Sequence, residues 1–151
     1  MADERRKFDV SVVTPGGPAY EGACEMIIVP GAAGEIGVLA RHAPLVATLK
    51  AGSTRVHLGG TEVLEFATGP GFFKVEADRA IALVDDAVSA RDIDPAKAQR
   101  QLDEAKAALE ALPEGADRWQ LEQRIRHAEN QLSVASLKGV SGGPTASTAP
   151  H

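Results

Sequence analysis

A chain of 151 residues with 16 Lys and Arg against 21 Asp and Glu has a formal net charge of −5 and a pI near 5.4, which excludes the clustered positive surface that nucleic-acid binding needs. Its one cysteine, Cys24, excludes an internal disulfide and any cysteine-based metal cluster. No stretch approaches the roughly 20 apolar residues of a membrane-spanning helix, so direct membrane insertion is not expected.

Met1 to Lys7 are charged, with neither the apolar run of a signal peptide nor the acid-poor look of a transit peptide. The expectation is a soluble, cytoplasmic-type chain whose partners are proteins. Phe8, Val10 and Val12 alternate with Asp9 and Ser11, the pattern of a strand with one buried face, and Pro15-Gly16-Gly17-Pro18 ends it. The next run, Tyr20 to Val29, finishes in Met26-Ile27-Ile28-Val29, apolar on both faces and therefore a central strand. Pro30 to Leu45 carries glycines at Gly31, Gly34 and Gly37, which reads as short strands and tight turns. Arg55 to Leu58 and Glu62 to Ala67 flank Gly59-Gly60 and predict a hairpin turning there. Thr68-Gly69-Pro70-Gly71 is a further turn, and strands are predicted at Phe72 to Glu76 and Ala80 to Val84. Many short strands with turn signals between them indicate an antiparallel sandwich or barrel.

At Asp94-Pro95 the pattern changes. Asp94 can accept from the free amides of a first helical turn, and Pro95 lacks the N–H that would go unpaired there. Ala98, Leu102, Ala105, Leu109 and Leu112 then form one helical stripe, which Pro113-Glu114-Gly115-Ala116 stops. Asp117 and Gln120 resemble a capping box for a second helix with the stripe Leu121, Ile125, Ala128, Leu132 and Ala135. The two stripes can close as an antiparallel hairpin. Their seam of leucines, one isoleucine and alanines is too thin to be rigid alone, so the hairpin needs a partner surface. The fold class is α+β: a β-sandwich over 1–89, an α-hairpin over 94–137, and a disordered tail over 139–151.

Residue types with chemical potential read mostly as structure. The glycine triplet lacks the P-loop lysine and carries Glu35, so phosphate binding is not expected. Asp85-Asp86, read at a strand end, would point to opposite faces and cannot share a proton. His57, His127 and His151 lie in unrelated segments without metal-ligand spacing. Cys24 reads as small buried filler, and Trp119, two residues before Leu121, as exposed at the hairpin tip or capping the seam. No nucleophile-base pair marks an active site.

Val29-Pro30-Gly31-x-x-Gly34-Glu35-Ile36-Gly37-Val38-Leu39 with His42-Ala43-Pro44-Leu45, then Thr68-Gly69-x-Gly71-Phe72-x-x-Val75, Val84-Asp85-x-Ala87 and Asp92-Ile93-Asp94, resembles the epsilon subunit of bacterial rotary F-type ATP synthases. The likeness runs from about Phe8 to Lys138. It implies a non-catalytic central-stalk subunit whose partners are the gamma subunit, the ring of membrane c subunits and the catalytic alpha and beta subunits. It also implies a peripheral location on the cytoplasmic side of the inner or plasma membrane, and a hairpin that switches between folded and extended states and restrains ATP hydrolysis. By this resemblance Glu35 and His42 contact the ring or rotor. Read from the residues alone, Glu35 is an exposed loop carboxylate and His42 a turn-stabilising imidazole. Arg118, Arg124, Arg126 and Lys138 meet an acidic segment of the beta subunit in the family; alone they form an ordinary solvated face, with Glu122 placed to pair with Arg126.

Several family members bind ATP through an [IL]-D-x-x-R-A motif with arginines further along the helices. Here the motif reads Ile93-Asp94-Pro95-Ala96-Lys97-Ala98, and the second-helix arginine positions fall on His127 and Gln131. Lys lacks the bidentate fork of Arg, so no cofactor is expected and ATP binding to the hairpin should be weak. The alternative function is a nucleotide-sensing regulatory module.

Overall fold

The computed structural model describes residues 6–142, with side chains through Ser136. Ten strands come first: β1 (Phe8–Thr14), β2 (Gly17–Cys24), β3 (Met26–Gly31), β4 (Gly34–Val38), β5 (Leu45–Leu49), β6 (Gly52–Gly59), β7 (Glu62–Thr68), β8 (Gly71–Glu76), β9 (Arg79–Val84) and β10 (Ala87–Ser89). They pair in the order β10-β7-β6-β3-β5-β8-β9-β1-β2, with β4 on the remaining edge of β3. Strand β3 pairs with β6 through Met26–Ile28 and with β5 at Gly31, so it joins the two layers of the sandwich.

The core follows from strand alternation. Val10 and Val12, Ile27 and Val29, Phe73 and Val75, and Ala80, Ala82 and Val84 all turn inward and are buried. Thr54 and Thr68 are also fully buried, and their hydroxyls satisfy each other at 2.8 Å.

Three details depart from the sequence reading. The run from Tyr20 to Val29 is two strands, broken at Glu25, whose amide donates to the His57 carbonyl at 2.7 Å. The Gly59-Gly60 hairpin turns one residue later: a register irregularity between His57 and Gly59 brings Gly59 opposite Glu62 and leaves Gly60 and Thr61 as the loop. Gly59 and Gly60 both have positive φ, at 138° and 60°. The sandwich is also not wholly antiparallel, because β1 runs parallel to β9, with Val10 opposite Ala80 and Val12 opposite Ala82. Parallel partners need a long crossover, and here the seven strands between them supply it.

The chain divides into two compact units between Ser89 and Ala90. The second opens with a 3₁₀ turn, Ala90–Asp92, followed by α1 (Pro95–Glu110) and α2 (Trp119–Gly142). Asp94 caps α1, accepting from the Ala96 and Lys97 amides at 3.1 and 3.3 Å, with Pro95 in the first turn. The first helix ends at Glu110, so Leu112 lies beyond it instead of on its stripe. At α2 the Asp117 carboxylate accepts from the Trp119 amide at 2.9 Å, while the Arg118 carbonyl takes the first helical bond from Glu122. The cap is therefore one residue later than the sequence suggests. Ala98, Leu102, Ala105, Ala128, Val134 and Ala135 are buried, whereas Leu109, Leu121, Ile125 and Leu132 are half-buried. Helix α2 continues through Gly142, so residues 139–142 are helical where disorder is expected from sequence. The rest of that expected tail, 143–151, lies outside the described residues.

Candidate functional site

The sandwich exposes a row of large apolar side chains. On β5, β8 and β9 the residues facing the core are Leu49, Phe73, Val75, Ala80, Ala82 and Val84. Their sequence neighbours must therefore face outward, and Val46, Phe72 and Leu83 do so at 72%, 60% and 52% exposure. Register places Phe72 opposite Leu83 and Leu83 opposite Val13 of β1, while on β5 Thr48 is opposite Phe72 and Val46, opposite Lys74, lies diagonal to it. The charges beside it are matched on the same face, Lys74 with Glu76 at 3.4 Å and Arg79 with Asp9 at 4.0 Å. The result is an apolar strip bordered by neutralised pairs, chemistry suited to docking on another protein. Sequence reading missed this strip, although Phe72-Phe73 and Leu83-Val84 signal it: in a strand only one of two adjacent apolar residues can face the core.

Glu35 stands on strand β4, not in a loop, and is exposed; its carboxylate accepts from the Arg55 guanidinium of β6 at 2.7 Å. His42 is in the β4–β5 connection, and its Nδ1 donates to the Ala43 carbonyl at 2.7 Å. Glu35 is near the start of β4, whereas His42 lies four residues beyond its end.

Arg118, just before α2, and Arg124 and Arg126 on it are exposed. Glu122 pairs with Arg118 at 3.7 Å, one turn earlier, in place of the expected Arg126. The side chain of Lys138 lies outside the described residues. Between α1 and α2 is a groove of about 690 Å³, lined by Gln101, Glu104, Arg124, His127 and Gln131 over a floor of alanines. Ile93 and Ala98 are buried, Asp94 is engaged in capping and Lys97 is exposed, so this stretch works as a helix start. Trp119 is 61% exposed.

The acidic pair is tied into a turn. Asp85 and Asp86 lie between β9 and β10, beyond the strand end, and their backbone is tied to the neighbouring turn by Asp85 N to Pro70 O at 3.1 Å and Gly69 N to Asp86 O at 2.9 Å. Among the described residues no three His, Cys, Asp or Glu side chains gather as a metal site, and no helix is long and apolar enough to cross a membrane.

Cys24 is fully buried, and desolvation pushes its thiol from 9.0 up to about 11. At pH 8 that leaves about 100-fold less thiolate than an unshifted thiol would have. Labelling of the native chain by Ellman's reagent at pH 8 is expected to be at least that much slower than labelling of the denatured chain. A thiol with a raised folded pKa stabilises the fold fully below its unfolded pKa, and that contribution is lost as pH rises through 11.

Comparison with known proteins gives a consistent picture. Residues 7–90 match the family model described as ATP synthase, Delta/Epsilon chain, beta-sandwich domain. The chain is 33% identical over 145 residues to the ATP synthase epsilon chain of Rubrobacter xylanophilus, covering 92% of this chain and 99% of that one. It is 39% identical over 127 residues to the epsilon chain of Halalkalibacterium halodurans, covering 83% and 95%. Among solved structures, it superposes on a chain of the Euglena gracilis mitochondrial ATP synthase OSCP/F1/c-ring assembly with a TM-score of 0.71 at 25% identity, covering 87% of this chain and 81% of that one. A chain from the central stalk and c-ring of the Tetrahymena thermophila enzyme shares the fold, with a TM-score of 0.52 at 12% identity.

Proposed function

The chain belongs to the ATP synthase epsilon-chain family, and from that membership we propose that it couples the catalytic head to the proton-driven ring as a rotor subunit of the central stalk. It is a non-catalytic subunit; the chemistry belongs to other chains. The observation that carries the coupling role is the apolar strip of Val46, Phe72 and Leu83. A rotor part must be held firmly while it transmits torque, and a flat, desolvatable strip on a stiff sheet is the surface for that. Its partner in this reading is the gamma subunit, with the c ring meeting the sandwich near Glu35 and the whole held peripherally on the cytoplasmic face of the membrane. His42, in the connection after β4, belongs to the rotor side.

The hairpin is the brake on hydrolysis in this reading. Its seam is floored by alanines, and most of its large aliphatics are only half-buried, so little free energy separates it from a different docking partner. Arg118, Arg124 and Arg126 then meet an acidic stretch of the beta subunit, with Lys138 carried further along α2. The groove between the helices favours the alternative of a nucleotide sensor through its size and Arg124. Against it stand the commitment of Asp94 to capping and the Lys at position 97.

One experiment separates these readings. A cognate catalytic head stripped of this subunit is given back either the full chain or a form ending at Ser89, and hydrolysis and binding are measured together, with calorimetry of ATP on the full chain alone. Binding by both forms, inhibition by the full chain only, and no sub-millimolar ATP affinity are expected. Binding by neither form would overturn the rotor assignment, inhibition by neither would remove the brake, and tight ATP binding would favour the sensor.

A further inference from the structure

The sheet has an edge that the sandwich itself leaves open. Among the described residues strand β4 pairs only with β3, and the direction of its backbone groups follows from the next strand over. The Pro30 carbonyl accepts from the Lys50 amide at 2.9 Å, so Pro30 points its backbone polar groups toward β5 and away from β4. Glu35 is the register partner of Pro30, and Gly37 that of Ile28, two residues from Pro30 on the same strand. In an antiparallel ladder, a residue whose partner points away points away as well. The amide and carbonyl of both Glu35 and Gly37 therefore face outward, and neither residue has a backbone hydrogen bond on that side among the described residues. Both are exposed.

Natural edges are usually blunted by proline, lysine or an inward charge. Strand β4, Gly-Glu-Ile-Gly-Val, has none of these, since its one charge is matched by Arg55. Gly37 is the second observation. Its φ is not positive, and a Cβ placed there would meet only Ile28 Cγ1, at 3.9 Å, an ordinary contact. Nothing among the described residues requires glycine at this position, although glycine weakens a strand interior. Glycine there leaves the half-buried Ile28 uncovered on the outer face, beside Glu35 and Arg55.

We propose that β4 receives an extended segment of another polypeptide of the same assembly, added to the sheet as a further strand through the outward groups of Glu35 and Gly37. The segment carries a large apolar residue opposite Gly37, whose side chain crosses the glycine to rest on Ile28. Two residues away, opposite Glu35, it carries a basic or hydrogen-bonding residue. Main-chain bonds fix the register and these two side chains select the partner. A second copy of this chain is disfavoured as occupant: antiparallel self-pairing about Ile36 would bring the two Glu35 side chains near each other, on chains that each already carry a net charge of −5.

This inference rests on the assignment to the ATP synthase stalk, and its test is chosen to separate the two. Amide hydrogen exchange is measured on the full chain, free and after incorporation into the cognate ATP synthase lacking it. The Glu35 and Gly37 amides are expected to exchange rapidly in the free chain and on the order of 100-fold more slowly in the complex. Gly37→Val keeps the amide but fills the gap over Ile28. It is expected to leave the melting temperature of the free chain unchanged or raised, and to weaken incorporation about tenfold or more. Gly37→Pro, which removes the outward amide, is expected to weaken it further. Incorporation with slowed exchange around Phe72 and Leu83 but rapid exchange at Glu35 and Gly37 would overturn the added strand and leave the stalk assignment standing. Failure to incorporate would overturn both. Slowed exchange of β4 on simply concentrating the free chain would make the occupant a second copy and overturn the partner strand.

Discussion

Phe73→Ala is expected to destabilise the sandwich by about 3–5 kcal/mol, the range for removing a large buried aromatic. Phe73 is the largest fully buried side chain, with no exposed surface, and its ladder partners on either side are Ala47 and Ala82. Two alanines cannot swing into the space a phenyl ring vacates, so the cavity stays open. Against a total stability of roughly 5–15 kcal/mol, the loss should lower the melting temperature by at least about 12 °C. Urea unfolding monitored by circular dichroism gives the check, with the midpoint falling and the slope unchanged. A cost under about 1.5 kcal/mol would mean that the layers close over the gap and that the core is less constrained than its register indicates.

Phe72, the next residue along, should behave in the opposite way. Phe72→Glu removes a side chain that is already 60% exposed and puts a carboxylate two residues from Lys74 on the same face, so the free chain should change by less than about 1 kcal/mol. If the strip docks on the stalk, the variant loses a buried aromatic anchor and gains an unpaired charge at the interface. Such changes cost about 2–4 kcal/mol of binding, or roughly a 30- to 1000-fold weaker association with the stripped assembly. Normal assembly by this variant would remove the strip from the interface. The contrast between Phe72 and Phe73 is set entirely by which side of one strand each occupies.

What the sequence made legible was local. Asp94-Pro95 announces the switch from sheet to helix because the cap and the first-turn proline act within four residues of each other. Alternation at Phe8, Val10 and Val12 shows which face is buried before any partner strand is known. The features that escaped depend on neighbours distant in sequence. No local pattern tells β1 that its partner is β9 or that it will run parallel to it. Glu35 reads as a loop residue because the glycines around it look like turns, yet pairing with β3 draws it into a strand. Glu122 could reach an arginine on either side, and it pairs with Arg118, the residue just before α2, instead of Arg126 within it. The apolar strip was within reach of sequence reasoning, but only after deciding which member of each adjacent pair faces the core.

The parallel pairing of β1 with β9 also orders events during synthesis. Strand β1 can pair with β2 at once, but it lacks its second partner until residues 79–84 have been made, so the sandwich cannot close early. Once they have emerged, a domain rich in such non-local pairings closes in milliseconds to seconds. Translating residues 90–151 takes about 3–12 s at about 5–20 residues per second. The helices, whose contacts are nearly all local, then emerge after the sandwich is already complete. Each newly made chain would thus have its apolar strip formed before its helical hairpin exists.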